Sequence, residues 1–296
     1  MNPIDRRTLL KRSAAALSLA AGAGSLGKAI SLAQPATPTP SLATLGLPEL
    51  AITVDDRGFT LPNGVVAGRT VLTVANKGAN ELHFFAARIP DDVSDADLAS
   101  SMATPDVDPP WFDMTKLTLL GTPDWPRPSG QAQGVVDLTE GRWLFLDPIG
   151  GRDVAILPVG AGSDPATAKA PAADVEIGLV EMDFTGLDNP VRAGQTVWKI
   201  SNHGALEHEI AILPVSPDAT KEKVIAQIGD LLQGNGDPAS FAPVAGQGIA
   251  SRGVTSWQQF DLTPGRYAAV CMSPSADPSS DEPHAMMGMV RLFTVR

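Results

Sequence analysis

The chain has 296 residues, 43% of them hydrophobic and 19% charged, enough apolar material for two buried cores and too much for disorder to be the default. Its 22 Lys and Arg against 33 Asp and Glu give a net charge of -11, which argues against nucleic acid or an anionic membrane surface as partner. A lone cysteine, Cys271, excludes an intrachain disulfide, and four histidines (His83, His203, His208 and His284) exclude a centre built on many imidazoles.

The first segment reads Asp5-Arg6-Arg7-Thr8-Leu9-Leu10-Lys11, then a bland apolar run to Ser31-Leu32-Ala33. A charged start, a short apolar core and a small-residue end make residues 1–33 a signal peptide. The paired arginines resemble the twin-arginine export motif, which implies a periplasmic or extracellular protein. Gly22, Gly24, Gly27 and Lys28 interrupt the run and make it a poor permanent span, so no membrane span is expected after leader removal. Residues 1–33 carry a net +4 against the whole chain's -11, so the exported remainder would carry -15. Residues 34–44, with Pro35, Pro38 and Pro40, read as an extended tether.

From there the chain reads twice through one pattern. Ala67-Gly-Arg-Thr-Val71 recurs as Ala193-Gly-Gln-Thr-Val197, and Asn76-Lys-Gly-Ala79 as Asn202-His-Gly-Ala205. Asp137-Leu-Thr-Glu-Gly-Arg-Trp143 recurs as Asp261-Leu-Thr-Pro-Gly-Arg-Tyr267. The copies, residues 45–160 and 174–296, flank a linker, residues 161–173. In the first copy, strands are predicted at Val71–Ala75 and His83–Ala87, a weak helix from Ser94 to Met102, and a later strand opened by Gly141-Arg-Trp143. In the second, Val197–Ser201 and His208–Ile212 are the matching strands. There Val224, Ile225, Ile228, Leu231 and Leu232 form one apolar face of a helix with Pro217 near its start. Short strands, turn residues between them and one excursion helix per copy predict an all-β protein of two Greek-key β-sandwiches.

The chemistry concentrates at the end of the second copy. Tyr267-Ala-Ala-Val-Cys271 ends a strand, a polar loop follows, and His284-Ala-Met-Met-Gly-Met289 leads into Val290-Arg-Leu-Phe-Thr-Val295. Upstream, His208 opens a strand just after the turn at Asn202. One thiolate, two imidazoles and a thioether form the ligand set of a blue-copper electron-transfer site.

Over residues 175–296 the chain resembles the cupredoxins, the plastocyanin-like family. His208 after an Asn-containing turn, Cys271 ending a strand opened by Pro264-Gly-Arg-Tyr267, and His284 spaced four residues from Met289 carry the resemblance. It implies two cupredoxin-like domains, with one copper held by His208, Cys271, His284 and, as axial ligand, Met289. It implies also that His284 turns its second ring nitrogen to solvent through an apolar patch of Pro283, Ala285, Met286 and Met287. One departure is the loop: twelve residues, Met272 to Pro283, separate Cys271 from His284, where short-loop members have a few. Lengthening a loop from two to twelve residues costs only about 1.5 kcal/mol of closure entropy, small against the ten or so kcal/mol typical of metal–ligand binding.

The first copy lacks the set. Asp147 stands at the place of Cys271 and Asp153 at that of Met289, with no histidine between, so no copper is expected there. His83 and His203 read as surface or turn residues. An oxidase cluster or a nitrite-reductase-like centre needs more imidazoles than these two, so an electron carrier, rather than an enzyme, is the leading reading. Its acidic surface suits a basic redox partner protein. Two alternatives are a metal-free extracellular binding or structural module, and a copper carrier using Met272, Met286, Met287 and Met289 as soft donors.

Overall fold

The structure is a computed structural model and describes residues 42–103, 109–114, 116–147, 154–237, 242–275 and 282–296, without the side chains of 43, 102 and 103. The leader, most of the tether and Asp153 lie outside the described residues.

The first half runs β1 Glu49–Asp55, β2 Gly58–Thr60, β3 Val65–Val66, β4 Gly68–Asn76, β5 Phe85–Arg88, helix α1 Asp95–Ala103, β6 Thr118–Leu119, β7 Pro123–Asp124, β8 Gln131–Leu138, β9 Gly141–Leu146 and β10 Ala155–Gly160. The second runs β11 Val175–Val180, β12 Asp183–Thr185, β13 Gly194–Asn202, β14 His208–Val215, helix α2 Lys221–Leu232, β15 Ala245–Ala250, β16 Thr255–Leu262, β17 Gly265–Val270 and β18 Val290–Val295. Each half is a two-sheet sandwich in which the chain passes repeatedly from one sheet to the other, the all-β Greek-key architecture expected. Both excursion helices form where predicted. The strand predicted at His83 starts later, at Phe85, leaving His83 just before it.

One sheet of each sandwich is shared. Eight strands run β12-β11-β13-β16-β8-β4-β1-β2, the same sequence of strand roles from either edge. At its centre β16 and β8 pair antiparallel, with Trp257 opposite Val135, Gln258 opposite Gly134 and Gln259 opposite Gln133. A Cβ on Gly134 would lie 2.2 Å from Gln258 Oε1 and 2.8 Å from the Trp257 carbonyl, so the strands meet this closely only because residue 134 has no side chain. The other two sheets are β3-β10-β9-β5-β6 and β18-β17-β14-β15-β7, so β7 of the first half extends the sheet of the second.

Alternation builds the two cores. Leu50, Ile52 and Val54 of β1 face Phe84, Trp143 and Phe145 in the first. In the second, Trp198 stands edge-on between Phe260 and Phe293, with Cys271 and Met289 in the same cluster. Helix α2 is capped by Thr220, whose hydroxyl accepts from Lys223 N–H, and buries Val224, Ile228 and Leu231. That face covers Ala268 and Val270 on the outer side of β17 and Met272 and Ala285 beyond its end, together with Trp125 from the first half. The linker is tied down: Asp164 caps a short turn at Pro165–Thr167, and Arg69, clamped on Asp137, donates to the Ala168 carbonyl while lying over the Trp257 ring. Among the described residues, no helix is long and apolar enough to cross a membrane.

Candidate metal centre

Three chain segments converge at one end of the second sandwich. Asn202 ends β13 and ties the following turn: its amide donates to the carbonyls of Leu206 and Ala250, and its oxygen accepts from Gly204 N–H. That turn delivers His208 as the first residue of β14. β17 ends at Val270 and delivers Cys271, while Met289 immediately precedes β18. His284 comes from the loop between them.

Cys271 Sγ lies 3.5 Å from His284 Nδ1 and 3.9 Å from His208 Nδ1, and the two Nδ1 atoms are 3.1 Å apart. Ligands bonded at typical lengths of about 2.0–2.3 Å to a trigonal ion stand about 3.5–3.8 Å from one another, and the observed separations bracket that range. His208, Cys271 and Met289 are fully buried, and His284 is 1% exposed. Each imidazole turns Nδ1 inward and leaves Nε2 buried without a hydrogen-bond partner among the described residues. Met289 shares the core cluster of Cys271, and its carbonyl accepts from Cys271 N–H. The donor set is that of a type 1 copper centre.

Burial sets the protonation states. It pulls both His208 and His284 down to about 4, with Glu181 opposing in each case and His208 adding to the effect on His284. Both rings are therefore neutral near pH 7, the form that binds a metal. Burial, reinforced by the Glu209 carboxylate, pushes the Cys271 thiol up to about 12, although Glu209 N–H and Ser273 favour the thiolate. A metal entering the site must displace that thiol proton.

The twelve-residue loop does not hang from the site. Its neck is closed by main-chain bonds: His284 N–H to the Ser273 carbonyl, Ala285 N–H to that of Cys271, Ser275 N–H to that of Glu282, and a bridge between Pro274 and Pro283. Residues 276–281 lie outside the described residues. Loop length therefore does not set the His284 position; the short span across the neck does. Helix α2 supports this segment from outside, with Met286 Cε 3.2 Å from where a Cβ on Gly229 would lie.

Two expectations are corrected. His284 does not turn Nε2 to solvent, because the ring is buried beside Pro283 and Ala285; only Met287 of that patch, 47% exposed, is open. His83 is not a surface residue. Its Nδ1 pairs with Asp124 Oδ2 at 2.6 Å, its Nε2 faces Glu209 Oε2 at 3.6 Å, and its ring stacks on Trp125. His203 is exposed, as expected.

Strand registers explain what sequence spacing misaligned. Phe85 pairs with Leu146 as Ala211 pairs with Val270, so Leu82 takes the place of His208, and His83 that of Glu209. Asp147, buried, takes that of Cys271, so the first half has neither imidazole nor thiol at those places. The methionines are also dispersed: Met272 and Met286 pack in the cluster under α2, while Met289 lies in the inner core.

No family model matches the chain, and no curated protein does. Among solved structures, the chain is similar to sodium-dithionite-reduced auracyanin from Roseiflexus castenholzii, at 20% identity over 43% of this chain and 99% of that one, TM-score 0.30. It is similar also to auracyanin A, a blue copper protein from Chloroflexus aurantiacus, at 19% identity over 41% of this chain and 97% of that one, TM-score 0.28. A copper-containing nitrite reductase from Thermus scotoductus matches over 84% of this chain and 61% of its own, at 11% identity and TM-score 0.24.

Proposed function

We propose that the second sandwich holds one type 1 copper through His208, Cys271, His284 and Met289, and that the protein is an exported carrier of single electrons. The observation that carries this reading is the convergence of two Nδ1 atoms and one Sγ within 3.9 Å in a buried pocket. When bound, copper supplies a one-electron couple. The chain's own part is to keep the donors dry and in place. Glu209 N–H donates to Sγ at 3.5 Å, a contact that withdraws electron density from the thiolate and tunes the potential. Pinning of His284 at the loop neck limits reorganisation of the donors between oxidation states. We read the halves, 45–160 and 174–296, as a duplication whose first copy has lost its ligands and serves as a packing or partner-binding unit. The matching strand registers support that reading.

The test is direct. Copper added to the purified chain should give an intense thiolate-to-copper absorption band, and Cys271→Ser should abolish it while leaving the far-ultraviolet circular dichroism unchanged. A parent chain that takes up copper without that band would overturn the electron-carrier reading in favour of a copper carrier. No uptake at all would leave the metal-free module. Export predicts a mature protein beginning near Gln34, which N-terminal sequencing of the secreted form would check.

A further inference from the structure

Between the two sandwiches lies a second buried group that the copper reading does not use. His83 approaches it from the first half with Asp124 and Asp147, and Glu209 from the second. Asp124, Asp147 and Glu209 are each at most 1% exposed. Among the described residues, His83 is the only ion-pair partner of Asp124 and of Glu209. Two carboxyl groups, those of Asp124 and Glu209, thus share one imidazole, and Asp147 also acts on His83 through its charge. Such an excess of buried negative charge is costly unless a cation offsets it.

The geometry points to a second metal site, in which His83 Nε2 and Glu209 Oε2 take a divalent cation of the zinc class between the halves while Asp124 orients the ring. One ligand atom each from His83, Asp124 and Glu209 lie within 4.8 Å of one another. The 3.6 Å from His83 Nε2 to Glu209 Oε2 is too long for a good hydrogen bond. It is close to the separation, about 3.4 Å, of two ligands each about 2.1 Å from a tetrahedral ion. Among the described residues, Glu209 Oε2 is buried and without a hydrogen-bond partner, while its Oε1 is already committed to Met272 N–H.

Asp124 is held still by accepting from the N–H groups of Phe84 and Trp125. Its other oxygen can accept from His83 Nδ1–H, which leaves the Nε2 lone pair for the ion, the carboxylate–histidine–metal arrangement. The edge of His83, whose side chain is 8% exposed, offers a path for the ion and for the two waters that complete its shell. Imidazole and carboxylate donors suit zinc-class divalent cations, whereas the thiolate set of the first centre suits copper.

The test uses the full chain with Cys271→Ala and His284→Ala, so that failure here does not bear on the copper reading. Titrated with Co²⁺, this background should take up one ion with the visible d–d bands of a tetrahedral site and no thiolate band. Adding His83→Ala or Glu209→Gln should weaken uptake at least tenfold. In the unaltered chain, Zn²⁺ should move the ¹⁵N resonance of His83 Nε2 to a metal-bound position, a readout that survives if a variant misfolds. Cobalt uptake insensitive to both added substitutions would overturn the inference. So would a His83 that remains a doubly protonated imidazolium at saturating Zn²⁺, which would make the group an ionic clasp only.

Discussion

Asn202 and Asn76 make the same three bonds in the two halves, and that equivalence separates what holds the fold from what holds the metal. Asn202 donates to Leu206 and Ala250 carbonyls and accepts from Gly204 N–H, at 2.8, 2.9 and 2.9 Å. Asn76 donates to Asn80 and Pro126 carbonyls and accepts from Gly78 N–H, at 2.8, 2.9 and 3.0 Å. Replacing either with Ala removes three largely buried bonds at about 1 kcal/mol each, so each variant should lose about 3 kcal/mol. A typical domain, stable by about 5–15 kcal/mol, survives such a loss. Urea denaturation of Asn76→Ala and Asn202→Ala should therefore give similar drops in midpoint. Their copper behaviour should diverge, because only the Asn202 turn ends in a donor, His208, whereas the Asn76 turn leads to Leu82. Asn202→Ala should shift the copper absorption band and weaken uptake, and Asn76→Ala should leave both unchanged. If the two variants altered the copper spectrum alike, the turn would not be what positions His208. A drop in one and none in the other on denaturation would refute the hydrogen-bond reckoning itself.

Gly134→Ala should lower the melting temperature by several degrees, since a Cβ there meets the Trp257 carbonyl at 2.8 Å and the strands at the junction must part, a strain of about 1–3 kcal/mol. A change within 0.5 kcal/mol, about the ordinary spread of surface substitutions, would mean that the junction is plastic. Met289→Gln should shift the copper spectrum and lower the potential while leaving partner exchange intact. Met287→Lys, at the open residue beside His284, should do the reverse and slow electron exchange with a partner protein. Exchange of these two outcomes would move the axial role from Met289 to Met287. Arg69→Lys should destabilise the chain by about 1–2 kcal/mol, measured by urea denaturation, because an ammonium cannot keep the paired bonds to Asp137 and the stacking on Trp257. An unchanged midpoint would show that clamp to be idle.

Much of the fold was legible in the residues. The one-sided spacing of Val224, Ile228 and Leu231 marked α2, and the Ala-Gly turns marked the starts of β4 and β13, because those signals act over a few residues. The donor set was legible for the same reason, since His208, Cys271 and Met289 sit at strand ends that local pattern reveals, and His284 stands at a fixed spacing from Met289. His83 reads as a surface or turn residue because its own neighbours carry no mark of what buries it: Asp124 of β7 with Trp125 beside it, and Glu209 from the other half. The segments at His83 and His208 look alike, but the pairing of Phe85 with Leu146 sets His83 at the place of Glu209.

The strands that follow the Ala-Gly and Gly-Arg turns, the excursion helices and the Cys271, His284 and Met289 spacing belong to the sequence alone, since periodicity and turn chemistry are local properties. Three things belong only to the tertiary structure: the pairing of β8 with β16, the closed neck beneath the long loop, and the meeting of His83 with Glu209. All three depend on main-chain bonds or charges between residues far apart in the chain. A backbone amide is the same at nearly every position, so the sequence carries no mark of which distant carbonyl it will meet. That choice is made when two packed sheets bring their edges together.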